Sequence, residues 1–253
     1  MDENKLRGVC RWCQQSAKLV RAHIIPEAFY DPIKGDSDKV VILQPLELKA
    51  AQFTSTGIYD PQILCSKCDG FLGRLDEYGL KIFKHPPPES DRVTTGFIPG
   101  YDLHCDDVQK AQKFLLSVLW RASVSSQNFF KTVSLGQKYE DSIRHLIANG
   151  EEVTEAHFEF VIIRTFDHPY DGGFAPPFRV RFEGVTALQL YLPFFKFIVR
   201  MDRRPFPLMA RLGRFMPGAM PQCLRLSYKD SFEGRIVESV TRATRERKAA
   251  KQG

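Results

Sequence analysis

Cys10-Arg11-Trp12-Cys13 and Cys65-Ser66-Lys67-Cys68 decide how the first third of this chain is read. Two residues between cysteines make a tight knuckle that aims both sulfurs at one point, and thiolates are preferred ligands of structural zinc. Two such knuckles supply a full tetrahedral set. Residues 14–64 lie between them, so a shared ion closes a large loop, and folding of that segment is expected to depend on the metal. A thioredoxin-like redox pair is the competing assignment, but it belongs beside a βαβ pattern that the sequence lacks. Cys105 and Cys223 have no partner at ligand spacing and read as isolated structural cysteines.

Outward from the second knuckle, Phe71, Leu72, Leu75, Tyr78, Ile82 and Phe83 recur at helical spacing, which predicts a helix seated on Cys68. His85 to Asp91 then carries three consecutive prolines, and Gly96 and Gly100 add further breakers. The composition places a small metal-bound domain at 1–88, a linker at 89–105, an α+β domain at 106–237 and a basic tail at 238–253. In the third segment, Val108 to Ser125 and Tyr139 to Ala148 read as amphipathic helices, the second closed by Asn149-Gly150. His157–Phe166, Phe178–Gly184, Ala187–Leu192, Phe195–Met201 and Cys223–Tyr228 read as strands of an antiparallel sheet packed by those helices. The tail from Glu238 to Lys251 reads as a basic helix or a frayed end.

The chain has 253 residues, of which 43% are hydrophobic and 26% charged, the composition of a globular protein able to bury a core. No stretch reaches the roughly 18 apolar residues of a membrane span, and the N-terminus is charged where a signal peptide is apolar. The expectation is a cytoplasmic protein with no membrane partner. A formal charge of +6 biases it mildly toward polyanions.

Between the knuckles stands Arg21-Ala22-His23-Ile24-Ile25-Pro26, and Tyr59-Asp60-Pro61-Gln62-Ile63-Leu64 precedes the second pair. A histidine among isoleucines is ordinarily a packed core residue. The order Cys-x-x-Cys, histidine with Ile-Ile-Pro, a polar residue, Leu-Cys-x-x-Cys and then a helix resembles the zinc-containing HNH nucleases of the ββα-metal type, over roughly residues 7–84. The resemblance implies a treble-clef-like ββα fold and an endonuclease that hydrolyses phosphodiester bonds. It implies His23 as general base and Asp60, where the family usually has Asn, as the residue that orients the imidazole. It implies Asp69 as a ligand of a catalytic magnesium or manganese ion. Imidazole suits proton abstraction near neutral pH, and a hard cation suits developing phosphate charge.

The position before the histidine, a metal ligand in that family, is Ala22, which cannot coordinate. Asp76 or Glu77, one to two turns past Cys68, could compensate, or could form a solvated acidic helix face. Arg121 beside Trp120, and Arg203 and Arg204 after an apolar strand, are weaker candidates for gripping nucleic acid. The downstream two-thirds is loosely similar to extensions that accompany HNH-like domains in bacterial proteins, and could position substrate or receive a regulatory protein partner. Three outcomes stay open: a nuclease acting on nucleic acid, DNA before RNA; a zinc module that binds nucleic acid without cleaving it; and a protein-interaction module.

Overall fold

The computed structural model describes residues 7–34, 40–42, 52–54, 56–95, 98–166, 175–207, 211, 213–218 and 222–227. The basic tail at 238–253 and Tyr228 lie outside the described residues. Among the described residues, no helix is long and apolar enough to cross a membrane.

The fold is mixed α+β. Strand β1 (Arg7–Val9) pairs antiparallel with β2 (Ser16–His23), and β2 pairs antiparallel with β5 (Tyr59–Cys65), giving a three-stranded sheet in the order β1-β2-β5. Between β2 and β5 in sequence, β3 (Val40–Ile42) and β4 (Gln52–Thr54) form a separate antiparallel pair. Helix α1 (Ser66–Phe83) begins as β5 ends. The β2/β5 register shifts between Val20 and Ala22, opposite the stretch of β5 that contains Pro61. Proline has no N–H for the ladder, and β5 is an edge strand, where such an irregularity is tolerated.

Downstream, Asp107 caps α2 (Val108–Val124) by accepting from the Lys110 N–H at 2.9 Å, and α3 (Gln137–Ala148) ends at Gly150 in a left-handed conformation. A seven-stranded sheet follows the order β6-β7-β12-β8-β11-β10-β9. Its members are β6 (Arg92–Thr95), β7 (Ile98–Asp102), β8 (Phe160–Phe166), β9 (Phe178–Phe182), β10 (Val185–Leu192), β11 (Phe195–Arg200) and β12 (Gln222–Ser227). The expected all-antiparallel sheet is corrected in one place: β12 runs parallel to β8 and antiparallel to β7, so the sheet is mixed. Residues 89–105, read as a linker from their prolines and glycines, carry β6 and β7 at the sheet's edge.

The strands alternate between two apolar clusters. Phe160, Ile162, Leu188, Leu190, Phe197 and Val199 face the main core, whereas Val161, Ile163, Ala187 and Ile198 form a smaller cluster with Phe206. Side chains on a strand alternate in direction, so apolar residues on both faces require cover on both. The main core runs unbroken from Cys10 through α1 and α2 to Cys223. Phe83, at the end of α1, is fully buried, stacks on Phe114 of α2 and meets Phe195, Phe197 and Phe215 edge-on at 5.0–6.0 Å. Gly79 permits that approach, because a Cβ there would fall 2.4 Å from the Phe114 ring.

Candidate metal centre and the histidine site

The β2/β5 pair carries one cluster of chemical groups at each end. At the first, Cys10 enters a turn over residues 11–13 that closes through Gln14, at a left-handed φ of 59°. The Gln14 N–H donates to the Cys10 carbonyl at 2.8 Å, and the Cys10 N–H to Gln15 at 3.0 Å. Arg11 N–H donates to the Ile63 carbonyl of β5 at 2.8 Å, which sets the first knuckle against the second. Cys65 stands at the N-cap of α1 and Cys68 in its first turn, where the helix dipole favours negative charge. The Cys65 N–H also donates to Cys10 Sγ at 3.3 Å.

All four sulfurs lie within 4.8 Å of one another, three in buried residues and Cys13 half-buried. Tetrahedral zinc with bonds of about 2.3 Å sets its sulfurs about 3.8 Å apart, inside that span. Burial pushes the Cys68 thiol well above its ordinary range, and the sulfurs of Cys65, Cys13 and Cys10 push it further. Thiolates so crowded repel one another unless a cation sits among them. The four cysteines could therefore hold one metal ion, and the set is compatible with zinc. Trp12 seals the first knuckle, edge-on to Trp120 at 4.8 Å. Cys105, with its Sγ 3.7 Å from Tyr78 Oη, and Cys223, buried in the core, stand outside the cluster.

At the other end, β2 finishes at His23, whose side chain is 30% exposed. Its Nε2 lies 3.2 Å from the Thr56 carbonyl. A carbonyl can only accept, so Nε2 carries a proton in this contact, and in the neutral ring the lone pair then lies on Nδ1. Gly57, the residue after Thr56, holds a left-handed φ of 77° against the Tyr30 ring. Glu27 Oε2 lies 3.7 Å from the same Nε2. The sequence offered a hint of Glu27 in its spacing four residues past His23, but none of Thr56, which acts through its backbone.

Asp60, expected to orient His23, is placed beside it in the fold but bonded elsewhere. It is fully buried and paired in register with Ala22. Its Oδ1 accepts from Gln62 N–H at 2.8 Å, and its Oδ2 accepts from Ser125 Oγ at 2.9 Å and from Ser126 N–H and Oγ at 2.6 and 2.9 Å. The orienting bond to the ring comes from Thr56.

Asp76, expected as a possible metal ligand, has each of its oxygens bonded to Arg121, at 2.8 and 2.5 Å. Arg121 is corrected as a nucleic-acid contact for the same reason: its side chain is 2% exposed and committed to Asp76. Glu77 is exposed, about 100° around α1 from Asp76. Asp69 is half-buried in the first turn of α1. Burial raises its pKa, Arg121 and His23 oppose the rise, and Asp76 adds to it. Among the described residues, the four cysteines are the one group of three or more His, Cys, Asp or Glu side chains placed to hold a metal. Arg203 is exposed, and Arg204 is tied to Asp202 by bonds of 3.1 and 2.6 Å. No family model, curated protein or solved structure matches the chain.

Proposed function

We propose that this protein is a metal-dependent endonuclease of the HNH type, with His23 as general base and zinc on the four cysteines as scaffold. The observation that carries the reading is the His23 ring: partly exposed at the end of β2, with Nε2 3.2 Å from the Thr56 carbonyl, a contact that in the neutral ring leaves the lone pair on Nδ1. That tautomer takes a proton from water at Nδ1. The imidazolium so formed is steadied through Nε2–H by the Thr56 carbonyl and by Glu27 at 3.7 Å.

With Asp76 committed to Arg121, Asp69 and Glu77 are the acidic side chains of α1 left for a catalytic cation, and Asp69, which feels the charge of His23, is the better placed. Magnesium commonly binds through one or two carboxylates and completes its shell with water and substrate phosphate. Magnesium or manganese held there would neutralise charge developing on the phosphate and the leaving oxygen.

Two observations favour a second reading, a zinc module that binds nucleic acid without cleaving it: Ala22 offers no ligand, and Asp76 is occupied. Supercoiled plasmid, linear duplex, single-stranded DNA and RNA incubated with wild type and with His23→Ala, in magnesium and in manganese, separate the two. The nuclease reading expects cleavage by wild type and its loss in a variant that keeps its zinc. Equal cleavage by both removes His23 as the base. Salt-sensitive binding with no scission by either protein establishes the second reading.

A further inference from the structure

The end of α2 reaches β2 at His23 and the neighbouring β5 at Asp60. Arg121 spends its whole guanidinium there. Its Nη1 donates to Asp76 Oδ2 at 2.8 Å and to the His23 carbonyl at 3.0 Å, Nη2 to Asp76 Oδ1 at 2.5 Å and Ser117 Oγ at 3.4 Å, and Nε to the Ser117 carbonyl at 3.4 Å. Just past the helix, Ser125 and Ser126 give three hydrogen bonds to Asp60 Oδ2. Asp60 is the β5 partner of Ala22, the residue before His23. One contact thus lies on His23's own carbonyl and the other on the strand opposite. The His23–Ile24 peptide is bonded at both polar ends, since the Ile24 N–H donates to the Ile58 carbonyl at 3.1 Å.

We infer that the C-terminal end of α2 is a positioning clamp, in which Arg121, Ser125 and Ser126 fix the peptide that carries the His23 ring and so hold Nε2 on the Thr56 carbonyl. Arg121, Ser125 and Ser126 are positioning residues, since they touch the backbone and Asp60 and not the ring. A buried ion pair between α1 and α2 would by itself be a packing device, replaceable by apolar groups of similar volume. The bond to the His23 carbonyl is what packing does not require, and it exploits the fork of guanidinium, which can serve a carboxylate and a carbonyl together where a lysine ammonium is a single point charge. The downstream part of the chain is on this account a component of the histidine site.

The inference rests on the reading of His23 as the reacting group only for its consequence, so its test reads the ring directly. In the full-length, zinc-loaded chain with ¹⁵N-labelled histidine, long-range ¹H–¹⁵N spectra report the tautomer of each ring, and His23→Gln identifies the His23 signal. Wild type is expected to give a single Nε2–H tautomer at His23. Arg121→Lys, which keeps the charge opposite Asp76, and the double substitution Ser125→Ala with Ser126→Ala are each expected to give mixed tautomers, with the zinc and the fold retained. Should Arg121→Lys not fold, the serine pair decides. Wild-type His23 resonances in a folded variant overturn the clamp. If the wild type cleaves nucleic acid, Arg121→Lys is expected to slow the rate by roughly a hundredfold without changing zinc content. If it does not cleave, the nuclease reading falls and the ring spectra still decide the clamp.

Discussion

The two ends of the β2/β5 pair are held by different means. At one end four sulfurs from two short knuckles converge within 4.8 Å, each knuckle built from residues adjacent in sequence. At the other, His23 and Asp60 are held by Arg121, Ser125 and Ser126, far along the chain on and just beyond α2. A structural metal binds through a compact ligand set and needs little else, whereas an imidazole left partly open to solvent must be fixed through its backbone and its neighbours. The metal end can therefore be written in a local motif, and the histidine end depends on the whole fold.

The largest effect that would break this contrast is expected from Cys65→Ser. Removing one ligand should abolish stoichiometric metal binding in mass analysis, and cost more unfolding free energy in urea than any core substitution, because the ion's binding energy is folding energy. Retained metal would show that the four sulfurs do not act as one site. Next comes Phe83→Ala, which removes the ring joining α1 to α2 and the sheet and should cost about 3–5 kcal/mol with the metal retained. Because both ends share that core, both should loosen together.

Asp60→Ala sharpens the contrast. It leaves the donors of Gln62, Ser125 and Ser126 without their acceptor and should cost about 2–3 kcal/mol, with metal content unchanged. Loss of metal in this variant would mean that the ends are not separable. The smallest effect is expected from Arg204→Ala, whose pair with Asp202 is exposed. Arg204 holds the Asp202 carboxyl well below the usual carboxylate range, yet screening by water should leave the urea midpoint unchanged.

The same contrast governs what was legible in the sequence. The cysteine spacing carried the four-cysteine cluster. Period-3.6 patterns located α1, α2 and α3, and Asn149-Gly150 marked the end of α3. Apolar runs located β8, β10 and β11, which are buried along most of their length, whereas β9 alternates apolar residues with arginine and β12 mixes Cys and Leu with polar residues. Strands β6 and β7 escaped notice because Pro99 and Gly100 read as breakers, yet Pro99 lies just outside the stretch of β7 that pairs with β12, and a Cβ at Gly100 would meet the Cys223 carbonyl of β12 at 2.7 Å. The parallel pairing of β12 with β8 is a tertiary choice that no local pattern encodes.

At the histidine site, residue types pointed to the neighbourhood but not to the hydrogen-bond partners each side chain takes. Asp60 lies beside the His23 strand, but two serines past α2 claim it. Asp76 lies on α1 as expected, but Arg121, 45 positions away, claims it. Such long-range pairs leave no periodic signal, and the Thr56 carbonyl that orients the ring is backbone, whose identity no side chain reveals.

Hydrogen–deuterium exchange across β1, β2 and β5, followed before and after chelation of the metal, tests most directly whether the two ends are held independently. The account predicts that chelation strips protection from the amides of Cys10, Gln14 and Cys65 while Ile24 and Gln62 stay protected by the contacts around the α2 end. Equal loss of protection at both ends would contradict it.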